Sequence, residues 1–325
     1  MTIDAGQPII VSADGRPVLV PALGASFTLE KLTADDAPIL EEVHAMVLDW
    51  IGADLRWTLN SAVTRLERFR PEDLDFVTLH PTHLEAPSQY NDPDLHEMEL
   101  LIEMNLHTEF GMFCHSGVEA RQGAPTSYRF YSSIHWLPTD GYYEPCATMR
   151  ITVPVGWPVA DFRRRVEEIG AKLRLRWGCA GYTYSGYAID FYEEVNSGIY
   201  AHARRHVGYD PGFYVSFMPE WHLMIRSVNW LTFLGPAFVS ELAKRKALLA
   251  SNDLVTVSKA GDNNLVLQAG PMPQEGDINR LQVPAAYRRA DEMVRPMRAR
   301  QDIDFYEPWT EATTKAWLRR FERRI

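Results

Sequence analysis

Histidine and carboxylate side chains are concentrated in one part of the chain, between residues 80 and 115. The histidines are His80, His83, His96, His107 and His115, and Glu99 and Glu103 lie among them. Two histidines and two carboxylates could hold Zn²⁺ or iron, so a metal-dependent hydrolase using residues 96–107 is one reading. On an extended strand, however, side chains two residues apart are separated by about 7 Å, which is wide for ligands of one ion. We therefore predict a solvated or partner-facing polar surface, with no metal and no cofactor.

The candidate nucleophiles lack the neighbours that would activate them. Cys114 and His115 are adjacent, and adjacent residues of a strand point to opposite faces, so a Cys–His pair is not expected. Ser116 and Ser185 are each followed by glycine, but neither lies in a GxSxG motif. The motifs GxGxxG, GKS or GKT, and HExxH do not occur in the sequence. We predict that the protein is not an enzyme, has no catalytic residues, and buries free thiols at Cys114, Cys146 and Cys179.

Acidic residues are concentrated between residues 71 and 120, a stretch without Lys or Arg that we call the acid segment. Its eleven acids are Glu72, Asp73, Asp75, Glu85, Asp92, Asp94, Glu97, Glu99, Glu103, Glu109 and Glu119. One reading is a charged outer face that keeps a sheet soluble. The other is a surface complementary to a basic, nucleic-acid-binding protein. In that case the expected contact residues are Asp92, Asp94, Glu97, Glu99, Glu103, His107 and Glu109.

The overall charge argues against direct binding of nucleic acid. The 325-residue chain has a formal net charge of −10 and a sequence pI near 5.5, whereas nucleic-acid affinity depends on Lys and Arg neutralising phosphates. The N-terminal sequence lacks a basic start followed by a long apolar core, so no signal peptide is predicted. No apolar run approaches the roughly 20 residues that cross a bilayer. We therefore expect a cytoplasmic protein with basic partners, no bound nucleic acid and no membrane association.

Periodicity and turn residues predict the elements that must position these groups. Twelve of the fourteen positions from Glu97 to Phe110 fit an alternation of apolar and polar residues, which predicts a half-buried strand. Further strands are predicted at Ser127–Trp136, Thr148–Pro154, Gly181–Ile189 and Leu223–Leu234, and hairpins over residues 8–20 and 253–268. Helices are predicted after Asp35-Asp36, from Trp157 to about Arg176, over Phe191–His206, after Gly235-Pro236, and at about 284–299 and 310–323.

Strands and helices follow one another without a regular βαβ alternation. This order predicts the α+β class, with mixed antiparallel sheets and packed helices, in one body or in two lobes. If the chain forms two lobes, the uneven charge suggests an acidic N-terminal lobe over residues 1–125 and a C-terminal α+β lobe over residues 126–325.

The C-terminal half carries several distinctive short runs. They are Ala180-Gly181-Tyr182, the turn RHVGYDPG containing His206–Asp210, Asn229-Trp230-Leu231 with Phe233-Leu234-Gly235, Ala269-Gly270-Pro271, Gly276-Asp277-Ile278-Asn279-Arg280, Pro284, Tyr287 and Arg295-Pro296. In these runs the chain resembles the TsiV-like immunity proteins of type VI secretion, over roughly residues 125–325. The runs contain turn glycines, an Asx-rich bend and an apolar plug, so we interpret them as fold devices and assign no toxin contacts to them.

The resemblance implies a cytoplasmic immunity protein that is encoded beside a type VI effector and binds it. Effectors in this setting are often nucleases, including the VRR-NUC and restriction-endonuclease-like classes, which implies a DNA-targeting toxin of either class as the partner. An acidic inhibitor suits such a partner because nucleases carry cationic clefts. The alternatives are the metal-dependent hydrolase described above and an adaptor protein without inhibitory activity.

Overall fold

The longest strand, Pro17–Leu29, lies inside a sheet to which both halves of the chain contribute. In a computed structural model, the described residues are 7–12, 15–60, 66–71, 109–121, 125–135, 147–186, 193–212, 224–247, 249–299 and 305–322. Within them the strands are β1 Ile10–Val11, β2 Pro17–Leu29, β3 Trp57–Asn60, β4 Glu67–Arg68, β5 Glu109–His115, β6 Arg129–His135, β7 Thr148–Pro154, β8 Leu175–Ser185, β9 Leu231–Leu234, β10 Val255–Ala260 and β11 Asn264–Ala269.

The strands form one antiparallel sheet in the order β10-β11-β9-β8-β2-β7-β6-β5-β3-β4, and β1 pairs with the start of β2. β2 pairs with β7 on one side and with β8 on the other. The predicted hairpins at residues 8–20 and 253–268 are confirmed, and β6 pairs with β7. The α+β class is therefore confirmed. Because strands from both sides of residue 125 share this sheet, a division into lobes at that position stays a prediction.

Six α-helices occur in the described residues. They are α1 Ala37–Ile51, α2 Val159–Lys172, α3 Glu193–Arg205, α4 Pro236–Lys244, α5 Ala285–Val294 and α6 Glu311–Leu318. In α2, Phe162, Val166 and Ile169 are buried, whereas Arg163 pairs with Glu167 one turn later. This division of apolar and charged residues over two faces is what anchors a helix to a sheet.

The helix predicted from Trp157 to Arg176 is shorter than expected. α2 ends at Lys172, and β8 begins at Leu175 rather than at Gly181. Leu175 and Trp177 are buried in the register that pairs β8 with β2, and this pairing outweighs the helical propensity of the intervening residues. The strand predicted over Leu223–Leu234 is also too long, since of its described residues, which begin at Met224, only Leu231–Leu234 form a strand.

α1 and α2 pack over the main hydrophobic core on one face of the sheet. The ring of Phe27 from β2 meets that of Phe233 from β9 edge-on, with centroids 5.4 Å apart. His44 of α1 donates its Nδ1–H to the Leu40 carbonyl at 2.7 Å, and its Nε2 accepts from the Ser132 hydroxyl at 3.0 Å. Burial lowers the pKa of His44 to about 4, so the imidazole is a neutral core group.

A second apolar cluster lies where β2 begins and β8 ends. Val18, Leu19 and Tyr184 contribute from the sheet, and α3 and α6 contribute Val195, Ile199, Trp317 and Leu318. The two C-terminal tryptophans, Trp309 and Trp317, contact each other with centroids 6.4 Å apart. This cluster attaches the last helix to the central strand. None of the described helices combines the length and hydropathy of a bilayer crossing.

Gly235, between β9 and α4, lies against the backbone of β8. A Cβ atom at this position would be 1.5 Å from the carbonyl oxygen of Leu175, so the two backbones could not keep their present separation. The Gly235 amide also donates to the Arg176 carbonyl at 2.8 Å. Only glycine therefore permits this junction.

We predict that Gly235→Ala lowers the free energy of unfolding by about 3 kcal/mol, because the added methyl group forces β8 and β9 apart. The matched control is Gly156→Ala, since a Cβ there meets no atom within 4 Å. Its effect should stay within about 0.5 kcal/mol. Urea titration followed by tryptophan fluorescence measures both variants. Equal urea midpoints for the two variants would contradict the close approach of Gly235 to the backbone of β8.

Candidate functional site

The acid segment is attached to the sheet at the β4–β3–β5 end. β4 ends at Arg68 and β5 begins at Glu109, and both strands pair with β3. Of the predicted contact residues, only Glu109 is in the described part of the chain, where it pairs with His135 of β6. The others lie outside the described residues: Asp92, Asp94, Glu97, Glu99, Glu103 and His107. The structure therefore locates the two ends of the segment, and the contact surface stays a prediction.

The side chains of Cys114 and His115 lie on opposite faces of β5, as the sequence predicted. Cys114 is in the main core, its thiol donates to the Thr58 hydroxyl at 3.4 Å, and burial raises its pKa to about 12. His115 bonds the Ala120 carbonyl through Nε2 and accepts the Gly117 amide at Nδ1, both at 3.1 Å. Burial lowers the pKa of His115 to about 4. A thiol this reluctant to ionise, facing away from the imidazole, is a packing group.

The two serines that precede glycines serve as backbone partners. The Ser185 hydroxyl donates to the Thr126 carbonyl at 2.6 Å, and Ser116 Oγ accepts the Tyr128 amide at 3.0 Å. Within the described ranges, no group of three His, Cys, Asp or Glu side chains could hold a metal ion. The segment 96–107 considered for a hydrolase lies outside those ranges.

A buried ion pair joins Asp210, which follows α3, to Arg226. Arg226 donates to both carboxylate oxygens of Asp210, at 2.8 and 3.1 Å, and the two side chains are 1% and 4% exposed. The Cys179 thiol and the Gly212 amide donate to the same carboxylate. Burial alone would raise the pKa of Asp210, but Arg226 and these donors together lower it to about 2. The same surroundings raise the pKa of Cys179 well above its usual value, chiefly through burial.

Two further buried arginines tie the C-terminal elements to this region. Arg320 donates to the carbonyls of Val207 and Val228 and to the Ser227 hydroxyl, at 2.9–3.1 Å. Arg298 pairs with Asp291 at 2.8 Å, and both side chains are at most 2% exposed. Arg298 also donates to the carbonyls of Ile225 and Leu318. Each guanidinium thus meets several acceptors from separate segments, as a buried charge requires.

The runs that carry the resemblance come together around β8, β9 and the loop after β11. Asn229 donates to the Tyr182 carbonyl at 3.1 Å, and its Oδ1 accepts the Trp230 amide at 2.7 Å. A Cβ at Gly181 would lie 2.3 Å from that Oδ1, so glycine is required opposite Asn229. The Trp230 indole donates to the Gly270 carbonyl at 3.1 Å. Residues 47 and 40 positions apart in the sequence therefore meet at one junction, where they support the fold.

The GDINR bend is attached to the end of α3. Asp277 forms an ion pair with Arg205 at 2.7 Å and accepts the Asn279 amide at 3.0 Å. His206 bonds the Gly276 carbonyl through Nδ1 at 2.9 Å. Arg205 and His206 at the end of α3 thus bind a neighbouring loop. The rings of Tyr182 and Tyr209 are stacked, with centroids 5.1 Å apart.

Comparisons with known proteins identify the family to which this chain belongs. A family model described as type VI immunity for VRR-NUC, TsiV, matches residues 58–321, which is most of the chain. The chain belongs to the TsiV family. TsiV proteins are type VI immunity proteins for VRR-NUC nuclease effectors, so the family expected from the C-terminal runs is confirmed, and the match extends further towards the N-terminus than those runs.

One similar solved structure is the Pseudomonas aeruginosa T6SS protein PA0821. It is 17% identical, with a TM-score of 0.69, and the alignment covers 96% of this chain and 87% of that one. At this identity the similarity shows a shared fold. A comparison with curated proteins found no match.

The buried charges are the residues that sequence reasoning missed. Arg298 and Arg320 lie within the predicted C-terminal helices and Asp210 within a predicted turn, and the sequence assigned no role to any of the three. Nothing in the local pattern distinguishes a buried arginine from its exposed neighbour Arg319, because the distinguishing acceptors come from distant segments.

We predict that Asp210→Asn lowers the free energy of unfolding by about 3 kcal/mol, because it leaves a buried Arg226 without its counter-charge. The control is Asp49→Asn, which removes a carboxylate that is 74% exposed and pairs with Arg165 at 3.0 Å. That variant should lose at most about 1 kcal/mol. Urea titration at pH 7 measures both. Similar losses for the two variants would contradict a special role for the buried pair.

Proposed function

We propose that this protein is a non-enzymatic immunity protein that binds and neutralises a cognate VRR-NUC effector in the cytoplasm. The observation that carries the proposal is the TsiV family match over residues 58–321. A nuclease that attacks DNA must be stopped in the compartment that holds the DNA, which supports a cytoplasmic location. Tight, stoichiometric binding is the simplest way for a protein of this size to achieve that, since a standard interface needs only about 800 Å² per partner.

The states of the potentially reactive groups support a role without catalysis. Burial raises the pKa of Cys114 to about 12 and lowers that of His115 to about 4. A cysteine nucleophile used near pH 7 needs a lowered pKa, and a histidine general base needs a pKa near 7. Asp210 and Arg226 are also occupied, because they neutralise one another within the core.

The acid segment supports an electrostatic mode of binding. VRR-NUC effectors are nucleases, and a nuclease that engages DNA presents cationic groups to the phosphates. Carboxylates arranged on a partner protein can occupy the same cationic surface and accelerate encounter with it. We therefore assign the contact to Asp92, Asp94, Glu97, Glu99, Glu103, His107 and Glu109, in the segment that joins β4 to β5.

The function is tested by expressing the effector with and without this protein. We expect cells that express the effector alone to lose viability and to degrade their DNA, and cells that express both proteins to grow normally. With purified proteins, nuclease activity should fall linearly with added immunity protein and reach zero at a fixed molar ratio. Full nuclease activity in a saturated mixture would refute binding as the mechanism. Sub-stoichiometric, progressive inactivation would instead reveal an enzyme, and metal analysis with His107→Ala would then test the hydrolase alternative.

The acid segment is tested by replacing Glu97, Glu99 and Glu103 with Lys. This changes the net charge from −10 to −4, because each of the three replacements adds two positive charges. We predict that the association rate with the effector falls about tenfold or more at low salt, and that its salt dependence weakens. The charge-matched control replaces Asp253, Asp262 and Glu307, which are exposed and far from the segment in sequence.

If net charge alone governs the encounter, both triple variants will slow association equally. A contact through the acid segment requires that only the first variant does so. Circular dichroism and the urea midpoint should be the same for both, which excludes unfolding as the cause.

A further inference from the structure

Leu281 combines two unfavourable features on the surface of the protein. Its backbone is left-handed, with φ 60° and ψ 26°, and its side chain is 70% exposed. The left-handed region suits glycine and asparagine, because a Cβ crowds the following carbonyl there. Among the described residues, Lys246 alone also combines a side chain with a positive φ. The left-handed backbone of Leu281 closes the 3₁₀ turn Ile278–Arg280, but the apolar side chain remains mostly in solvent.

The loop that carries Leu281 is nevertheless held in one conformation. Asp277 and Gln282 exchange both backbone hydrogen bonds, at 2.7 and 2.9 Å, and close the loop at its base. Within it, the Leu281 amide donates to the Ile278 carbonyl at 3.1 Å. The ion pair of Asp277 with Arg205 attaches the loop to α3. An exposed leucine is therefore displayed at a fixed position, which is the preorganised state that binding favours.

A cationic cleft of about 340 Å³ borders the same loop. Ile278 and Asn279 form one wall, α3 contributes Arg204 and Arg205, and α6 contributes Thr313 and Trp317. Three arginines and no carboxylate occur among the described residues that line it. Arg280, beside Leu281, is 49% exposed. The sign of this surface is opposite to the net charge of the protein, −10.

We propose that residues 276–282 and the adjoining cleft, here called the 281 surface, form a second contact with the effector. Leu281 would insert into an apolar pocket of the effector, and Arg280 and Arg204 would meet carboxylates at the rim of that pocket. The inference rests on the proposed function and names a surface separate from the acid segment. An apolar centre surrounded by a polar rim is the common arrangement of a protein interface.

The existing contacts of the arginines favour a protein over a nucleic acid as the occupant. Arg205 already neutralises Asp277, and Arg204 donates to the Tyr200 hydroxyl at 2.6 Å and lies over its ring. A nucleic acid would need a continuous row of uncommitted positive charges. A few rim arginines around an exposed leucine instead match a pocket edged with carboxylates.

The decisive variant is Leu281→Gly, because it should leave the protein at least as stable while it weakens binding to the effector. Glycine relieves the left-handed strain, so the urea midpoint should stay the same or rise. Loss of the apolar anchor should raise the dissociation rate from an immobilised, catalytically inactivated effector by about tenfold or more. Lys246→Gly is the matched control, since it relieves the same backbone strain at φ 59° elsewhere on the surface. Its dissociation rate should equal that of the wild type.

Arg280→Gln provides a second, independent readout. It removes one positive charge without placing a negative one beside Asp277, which lies 3.6 Å from Arg280. We expect the association rate to fall about threefold or more, with an unchanged urea midpoint.

Dissociation of Leu281→Gly within twofold of wild type would overturn the proposal. So would a wild-type dimer that Leu281→Gly makes monomeric without effector, because the surface would then serve self-association. If wild-type protein does not bind the effector at all, the proposed function itself fails.

Discussion

A cluster of buried charges holds the C-terminal elements against the sheet. Arg320 joins the chain after α3 to the irregular segment that leads into β9, because its guanidinium donates to Val207, Ser227 and Val228 at once. Arg298 joins α5 to α6, because it pairs with Asp291 of α5 and donates to the Leu318 carbonyl of α6. A buried guanidinium without its acceptors is strongly destabilising, so this arrangement tolerates little displacement of any one segment. The positions of the helices and of the loop at residues 276–282 depend on it.

The proposed contact at residues 276–282 is already ordered in the free protein. Loss of conformational freedom on binding reduces affinity, so an inhibitor gains from surfaces that are already ordered. The bend at Asp277 is ordered through Arg205 at the end of α3, and α3 is in turn packed on β2 within the second apolar cluster. The acid segment follows β4 and contains β5, which are strands of the same sheet. Together, the proposed acidic and basic contacts would suit a partner with both basic and acidic regions.

Local patterns predicted most of the described elements. The acidic residues before α1, the prolines at 158 and 236 and the turn between β10 and β11 marked element boundaries because each acts on its own backbone. Errors arose where distant pairing decided the outcome. β8 begins six residues earlier than predicted, since Leu175 and Trp177 pair with β2 rather than extending α2. In the described part of the predicted strand Leu223–Leu234, residues 226–229 have no regular structure, and Asn229 donates to the Tyr182 carbonyl.

The sequence by itself determined the charge segregation, the α+β class and the family, because composition, periodicity and short motifs are properties of contiguous residues. Only the tertiary structure decided which charges are buried and where the GDINR bend lies. Arg319 and Arg320 are neighbours, yet one pairs with Glu322 on the surface and the other bonds Ser227, 93 residues away. Burial of a charge depends on acceptors brought together by the whole sheet, and such acceptors leave no local trace in the sequence.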